Sequence, residues 1–283
     1  MNLTTVREKF IQYLNEAKRA HATILAYSKD IEQLISYLST SGKREIQEVE
    51  KTDLEGFLKK LSGDGYTTKS LSRKINSIKT FYRFLKRENH VKINPAAEIS
   101  HPKYEVKPPR ILSKMEYRAL RDACRGDTRT YAIVELFLQT GIRISELAAL
   151  ELDDIKEKEL VVKPQENHPQ RVIPLNKAAK AALDKWLAVR PKTPTGTIFV
   201  TKTGRPLLVR NIRTTIDRYF KMAGIENAKV NDLRHTFIAH HLSSGTPLTM
   251  ISKLVGHKRL ATTEKYLDLV KEKMTENVKL EEL

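Results

Sequence analysis

Apolar residues recur at helical spacing along most of this chain, and the places where that rhythm fails divide it in two. Val6 to Glu16 carries Phe10, Ile11 and Leu14 on one face, and Thr23 to Leu38 repeats the pattern with Tyr27, Ile31, Leu34 and Leu38. Thr52 and Asp53 can cap a third helix running to Leu61, which Ser62-Gly63-Asp64-Gly65 breaks. A longer helix follows from Thr68 to Arg87, with Leu71, Ile75, Ile78, Phe81, Tyr82 and Leu85 as its apolar stripe. Four helices without a strand signal predict a small helical bundle over residues 1–104.

The rhythm is lost from Asn94 to Arg110, where NPAAEISHPKYEVKPPR holds four prolines. Pro108-Pro109 resists helix and favours a stiff extended connection, so residues 105–110 are read as a linker. The larger remainder, 111–283, is read as a second, mixed helical domain with a small antiparallel β-sheet. Ser113 and Glu116 form a capping-box start, and Thr128 to Leu138 is apolar on several sides, which predicts a central helix. Glu159 to Lys163 and Gln170 to Leu175 read as two short strands joined by a polar turn. Lys177 to Val189 is a helix, Thr197 to Val200 a strand and Val209 to Met222 a further helix. Around Asn231 the helical stripe is Leu233, Phe237, Ile238 and Leu242, ended by Ser243-Ser244-Gly245. Pro247 suits the first turn of the next helix, Leu248 to Val255, which Gly256 stops. Thr262 or Thr263 can cap a short segment carrying Tyr266. Leu269, Val270, Met274, Val278 and Leu280 make an amphipathic tail helix of Asp268 to Leu283.

Charge narrows the class of partner. The 283 residues contain 51 Lys and Arg against 34 Asp and Glu, a formal charge of +17 and a pI near 9.8. A surplus of one sign attracts a polyanion, so nucleic acid is the expected partner, ahead of a ribosomal or anionic-membrane one. The polar face of the helix from Thr68 holds Lys69, Arg73, Lys74, Lys79 and Arg83, with no acid between Asp64 and Glu88. Thr67, Thr68, Ser70, Ser72 and Ser77 stand near them as phosphate donors. Cys124 is the one cysteine, which excludes an intramolecular disulfide framework, suits a reducing compartment and reads as buried filler. The start carries charges and no long apolar run follows, so no membrane segment and a cytoplasmic location are expected. There is no phosphate-cradling G-x-x-x-x-G-K-S/T loop and no carboxylate cluster of the two-metal kind, and His240-His241 is a weak metal signal. No metal or cofactor is expected.

Chemistry concentrates between Asn231 and Tyr266. Asn231, Arg234 and His235 fall at i, i+3 and i+4 of one helix, His257 stands at a helix end, and Tyr266 comes nine residues later. Earlier, Arg143 sits just after Gly141 and between two isoleucines, with Glu146 at i+3 as an ion-pair partner. Planar forked guanidiniums grip phosphate oxygens and keep their charge, and a phenol can serve as a nucleophile toward phosphorus.

T-G-I-R-I-S-E-L at Thr140 to Leu147, Arg234-His235, Val255-Gly256-His257 and Tyr266, in that order, resemble the tyrosine recombinases, which include phage integrases and the Xer enzymes. Thr23, Tyr27, Asp30 and the run Ser77 to Leu85 are similar to that family's core-binding domain. The resemblance implies a core-binding domain and a catalytic domain whose linker lets them close around duplex DNA. It implies Tyr266 as nucleophile forming a 3′-phosphotyrosyl bond, with Arg143, Arg234 and His257 at the phosphate. A hairpin lysine protonates the leaving 5′ oxygen in the family, and Lys163 is the candidate here, although PQENHPQ replaces the usual glycine-flanked lysine.

Asn231 stands where the family has histidine, and a neutral amide cannot be a base, although it can donate a hydrogen bond to phosphate. The base is then His257, a phosphate oxygen or water, with His235 and Glu146 in support. The implied activity is site-specific recombination without metal or ATP on duplex DNA bearing a short inverted repeat, resolving chromosome or plasmid dimers. The implied assembly is a dimer or tetramer joined through the C-terminal tail, at the nucleoid. A type IB topoisomerase and a catalytically inactive DNA-binding relic are the alternative readings.

Overall fold

The computed structural model describes residues 2–105, 107–165 and 168–275, the backbone alone for 271–275, and divides into two compact units, Met1–Val106 and Lys107–Leu283. The first unit contains α1 (Leu3–Glu16), α2 (His21–Thr40), α3 (Lys51–Gly63) and α4 (Thr68–Arg87), with a 3-10 turn at Ile46–Glu48. Its core joins Phe10 and Leu14 of α1, Ile31, Leu34 and Leu38 of α2, Leu54 of α3 and Phe81, Tyr82 and Leu85 of α4. Phe10 meets Phe81 edge to face, with ring centroids 5.1 Å apart. Thr67 caps α4 by accepting from the backbone N–H of Ser70 at 3.3 Å.

The polar face of α4 differs from its expected form. Lys74 is buried at 3% exposure, and its ammonium donates to Oδ1 of buried Asp30 at 2.8 Å. Arg73, half exposed, donates to the same carboxylate, its Nη2 lying 2.8 Å from Oδ1. Ser77 is fully buried and donates to the carbonyl of Lys74, and Ser72 is bonded to His101. Lys74, Ser72 and Ser77 are therefore interior groups and not phosphate donors. The acid that balances the α4 cations comes from α2, more than forty positions away, where inspection of the local sequence does not reach. Lys69 and Arg83 are exposed, and Lys79 is half-buried with its ammonium on the carbonyl of Ala97.

The second unit runs through α5 (Lys114–Cys124), α6 (Thr128–Thr140), α7 (Ile144–Ala148), β1 (Glu159–Val162), β2 (Arg171–Pro174), α8 (Lys177–Val189), α9 (Val209–Met222), α10 (Val230–Ser243), α11 (Leu248–Val255) and α12 (Ala261–Thr275). The two strands form an antiparallel pair in which Leu160 faces Ile173 and Val162 faces Arg171. Ser113 and Glu116 make the reciprocal capping box of α5. Cys124 is buried, and that burial pushes its thiol up to about 12, which leaves it inert.

α6 and α10 are buried on most sides and pack on each other as the spine of the unit. The sharp exit from α6 depends on Gly141, whose φ of 59° is left-handed, and a Cβ there would collide with the ring of Phe237. Thr197 to Val200 does not form a regular strand, only isolated bridges to Glu151 and Pro206. The carbonyls a strand ladder would use are taken by side chains: Trp186 Nε1 donates to Ile198 O at 3.0 Å and Arg190 Nη2 to Thr197 O at 2.6 Å. α12 is one helix that carries Tyr266 and continues into the stretch expected as a separate tail; 276–283 lie outside the described residues. Among the described residues no helix is long and apolar enough to cross a membrane.

Candidate active site

Two glycine breaks, at Gly141 and Gly256, bring distant cations together. Arg143 is the N-cap of α7, held there because Gly141 turns the chain out of α6 two residues earlier. Its backbone N–H donates to Glu146 Oε2 at 2.9 Å and its Nη1 to Oε1 at 2.8 Å, while Nη2 donates to Gly256 O at 2.5 Å. Arg234 projects from the buried α10, donating through Nη2 to Val255 O at 2.7 Å and through Nη1 to Gly141 O. The two guanidiniums are thus anchored on carbonyls of consecutive residues. Gly256 makes the close approach possible: its φ is 67°, and a Cβ there would sit 3.1 Å from the guanidinium of Arg171 and 3.3 Å from that of Arg143.

Arg171 is a third cation, which the sequence reading passed over. It lies on β2, donates through Nε to Leu254 O at 2.8 Å, and grips Glu146 with both terminal nitrogens, at 2.8 and 2.6 Å. A strand alternates faces, so its position two residues before buried Ile173 marked it as inward-facing. Glu146, 3% exposed, serves Arg143 and Arg171 together. Burial alone would raise its pKa, but the hydrogen bond from Arg171, the backbone donor of Arg143 and the two positive charges prevail and hold it at about 2. Arg143 and Arg171 share this one carboxylate while Arg234 rests on backbone carbonyls, so the cluster keeps an excess of positive charge. Burial, reinforced by Arg143 and Arg171, lowers Arg234 to about 9.

Tyr266 reaches the cluster from α12. It is 4% exposed, its ring stacks on that of His257 at 19° and a centroid distance of 6.5 Å, and its hydroxyl lies 2.6 Å from His235 Nδ1. His257 follows Gly256, and its Nδ1 is 2.8 Å from the hydroxyl of fully buried Thr263. Thr263, considered earlier only as a cap, orients this imidazole instead. Burial, together with Arg234 and Arg143, pushes His257 down to about 4, so its ring is neutral at pH 7. Burial lowers His235 as well, opposed by Asp232 and aided by Arg234. The Tyr266 phenol is raised by burial, with Arg234 pulling the other way.

Arg143, Arg234, His235, His257, Tyr266 and Glu146 therefore meet at one place. Asn231 stands in the first turn of α10 with its side chain exposed. Lys163 is not drawn in: its ammonium pairs with Glu151 and, at 3.3 Å, with Asp154 of the 3-10 turn Leu152–Asp154. Its charge is spent on that turn. Among the described residues no three His, Cys, Asp or Glu side chains are placed to hold a metal ion.

Comparison with known proteins matches residues 110–273 to the phage integrase family and residues 8–89 to the phage integrase N-terminal SAM-like domain. A tyrosine recombinase XerC of Thermodesulfovibrio yellowstonii is 32% identical over 261 residues, spanning 86% of this chain and 84% of that protein. The crystal structure of XerA recombinase aligns over 98% of this chain and 99% of its own at 25% identity, with a TM-score of 0.55. The Tn1549 transposon integrase in complex with transposon right end DNA aligns over 98% and 99% at 17% identity, with a TM-score of 0.80. Two architectural halves and a tyrosine–arginine cluster define a DNA strand-exchange class of protein. The chain belongs to the phage integrase family of tyrosine recombinases, enzymes that cleave and rejoin DNA strands. These likenesses favour site-specific recombination over the topoisomerase and inactive-relic readings.

Proposed function

We propose that Tyr266 attacks a DNA phosphodiester seated on Arg143 and Arg234, forming a 3′-phosphotyrosyl link and freeing a 5′ hydroxyl. The observation that carries this reading is the anchoring of the two guanidiniums on the adjacent carbonyls of Val255 and Gly256, beside the ring pair Tyr266–His257. An excess of positive charge facing one carboxylate is relieved by an incoming phosphate and further by the charge that develops in the pentavalent transition state. His257 is neutral, and a Thr263 hydroxyl donating to Nδ1 leaves Nε2–H as a further donor toward the phosphate.

The nucleophile needs a base, because a phenol of pKa near 10 is protonated at neutral pH. Asn231 cannot serve. His235 presents Nδ1 to the hydroxyl at hydrogen-bond distance, and its lowered pKa favours the neutral ring that accepts a proton. The covalent link conserves the energy of the broken ester, so rejoining to a new 5′ end requires no ATP.

The substrate in this reading is duplex DNA with a short inverted-repeat site, bound by a dimer or tetramer, and the outcome is resolution of chromosome or plasmid dimers at the nucleoid. Residues 1–104 form the core-binding part, 105–110 the linker and 111–283 the catalytic part. Lys69, Arg73, Lys79 and Arg83 of α4 supply phosphate contacts. The basic net charge of +17 and the XerC likeness support it. A suicide duplex tests the chemistry: wild type should trap a covalent complex that Tyr266→Phe does not form, and strand transfer between two duplexes should follow. A covalent complex retained by Tyr266→Phe rejects the assignment.

A further inference from the structure

His257 joins the two halves of the site. Its backbone N–H donates to Ser252 O at 2.9 Å, closing the end of α11, and the two carbonyls just before it, those of Val255 and Gly256, hold Arg234 and Arg143. Its ring is held from α12. Tyr266 stacks on it, and Thr263, one turn earlier on the same face of that helix, bonds Nδ1 at 2.8 Å. The ring is neutral at pH 7, so it carries one proton, and its chemistry depends on which nitrogen holds it. A proton on Nδ1 leaves Nε2 an acceptor and a candidate base. A proton on Nε2 makes that nitrogen a donor.

The burial of Thr263 decides between them. Its side chain is wholly enclosed, and His257 Nδ1 is the one hydrogen-bond partner of its hydroxyl among the described residues. Thr140 and Thr236, also buried in helices, give their hydroxyl protons to the carbonyl four residues back, and Thr263 does not. Were Nδ1 protonated, the Thr263 hydroxyl would have to accept, and its own proton would be left without an acceptor in a place closed to water. That is the costly arrangement for a buried donor. With Nδ1 unprotonated, hydroxyl and ring satisfy each other. The ring proton then sits on Nε2, which has no hydrogen-bond partner among the described residues and is not closed off from solvent.

We propose that Thr263 is a positioning residue whose hydroxyl fixes His257 as the Nε2–H tautomer, making it a phosphate donor and removing it as a base for Tyr266. The role rests on the reading of Tyr266 as nucleophile. Because Thr263 and Tyr266 share one face of α12, the seating of that helix that brings up the phenol also sets the donor. An α12 lying elsewhere would lose both together.

The test measures single-turnover covalent-complex formation by the full chain, on a suicide duplex carrying a site it selects from a random-sequence pool. Thr263→Val matches the side chain in shape and removes the hydroxyl, and it is expected to slow the reaction by about 10- to 100-fold. Thr263→Ser, which keeps the hydroxyl, and Thr262→Val, at the exposed neighbour, should stay close to the wild-type rate. In a His257→Phe background, Thr263→Val should cost nothing further. Equal loss in both backgrounds would mean that Thr263 only builds α12 and overturns the proposal, as does an unchanged rate in Thr263→Val or a comparable loss in Thr262→Val. Nitrogen-15 shifts of the His257 ring in the free protein give an independent reading: Nδ1 should be unprotonated and Nε2 protonated, and the reverse overturns the proposal. Wild type inert on the duplex, or Tyr266→Phe active on it, overturns the nucleophile reading and the positioning role with it, while the tautomer is still read from the spectra.

Discussion

The hydroxyl of Tyr266 lies 2.6 Å from Nδ1 of His235, and the two residues come from different helices, thirty-one positions apart. A neutral imidazole protonated at Nε2 leaves Nδ1 free to accept that hydroxyl proton, and the burial that lowers the pKa of His235 favours a neutral ring at neutral pH. In the proposed mechanism the base is the residue after Arg234, whereas the position three before Arg234 carries an amide.

His235→Asn preserves an acceptor near Nδ1 without its basicity. It should slow single-turnover cleavage by about 10²-fold or more. The wild-type rate should fall as pH drops through the depressed pKa of His235, because protonation removes the acceptor, and that acid limb should disappear in the variant. Covalent-complex formation measured from pH 5 to 8 checks both. A variant that keeps the wild-type rate and acid limb would show that the contact only positions the phenol.

Glu146 holds Arg143 and Arg171 together, and its loss leaves two partly buried guanidiniums without a counter-charge. Glu146→Gln should cost about 3–5 kcal/mol of stability at pH 7. Its pKa is depressed in the folded protein, from 4.5 to about 2. The stability it contributes, about 3 kcal/mol from the shift, is present above the unfolded value and is lost as pH falls through the folded one. Urea unfolding of wild type and variant should therefore converge between about pH 4.5 and pH 2. A gap that stays constant across that range would mean the carboxylate charge is not what matters.

The helices were legible because burial leaves a periodic trace: α4, α8 and α11 begin and end where stripe, cap and glycine placed them. Arg143, Arg234, His257 and Tyr266 were legible through their order and spacing. What stayed hidden depends on pairing across the fold. Arg171 looked like a polar residue in a short strand until Glu146 was seen between it and Arg143. Asp30 neutralises Lys74 from another helix, so a run without local acids overstated the free charge of α4. Lys163 fitted as a hairpin lysine by type alone, and only the carboxylates of Glu151 and Asp154 reveal where its charge goes.

That redistribution of charge on α4 has a measurable consequence. Lys69 and Arg83 are exposed, so replacing either by Ala should remove a phosphate contact and lower the slope of log affinity against log salt by about 0.9. Lys74→Met should leave the slope unchanged and instead destabilise the helical bundle, because Asp30 keeps only Arg73. Filter binding across a salt series, with thermal melts of each variant, separates the two effects. A reduced slope in Lys74→Met would return that lysine to the DNA surface.

Asn231 is the chain's plainest departure from its family, and the structure leaves its amide exposed in the first turn of α10, three residues before Arg234. Proton transfer to it is chemically closed, but a donated hydrogen bond to a non-bridging phosphate oxygen is open. Such a bond to a charged acceptor contributes about 1.5–3 kcal/mol, so Asn231→Ala should cleave roughly 10- to 100-fold more slowly. Asn231→His restores a donor and should match or exceed wild type. Single-turnover cleavage with saturating protein decides it. An Asn231→Ala rate equal to wild type would mean that His257 and the two arginines hold the phosphate without help from this position.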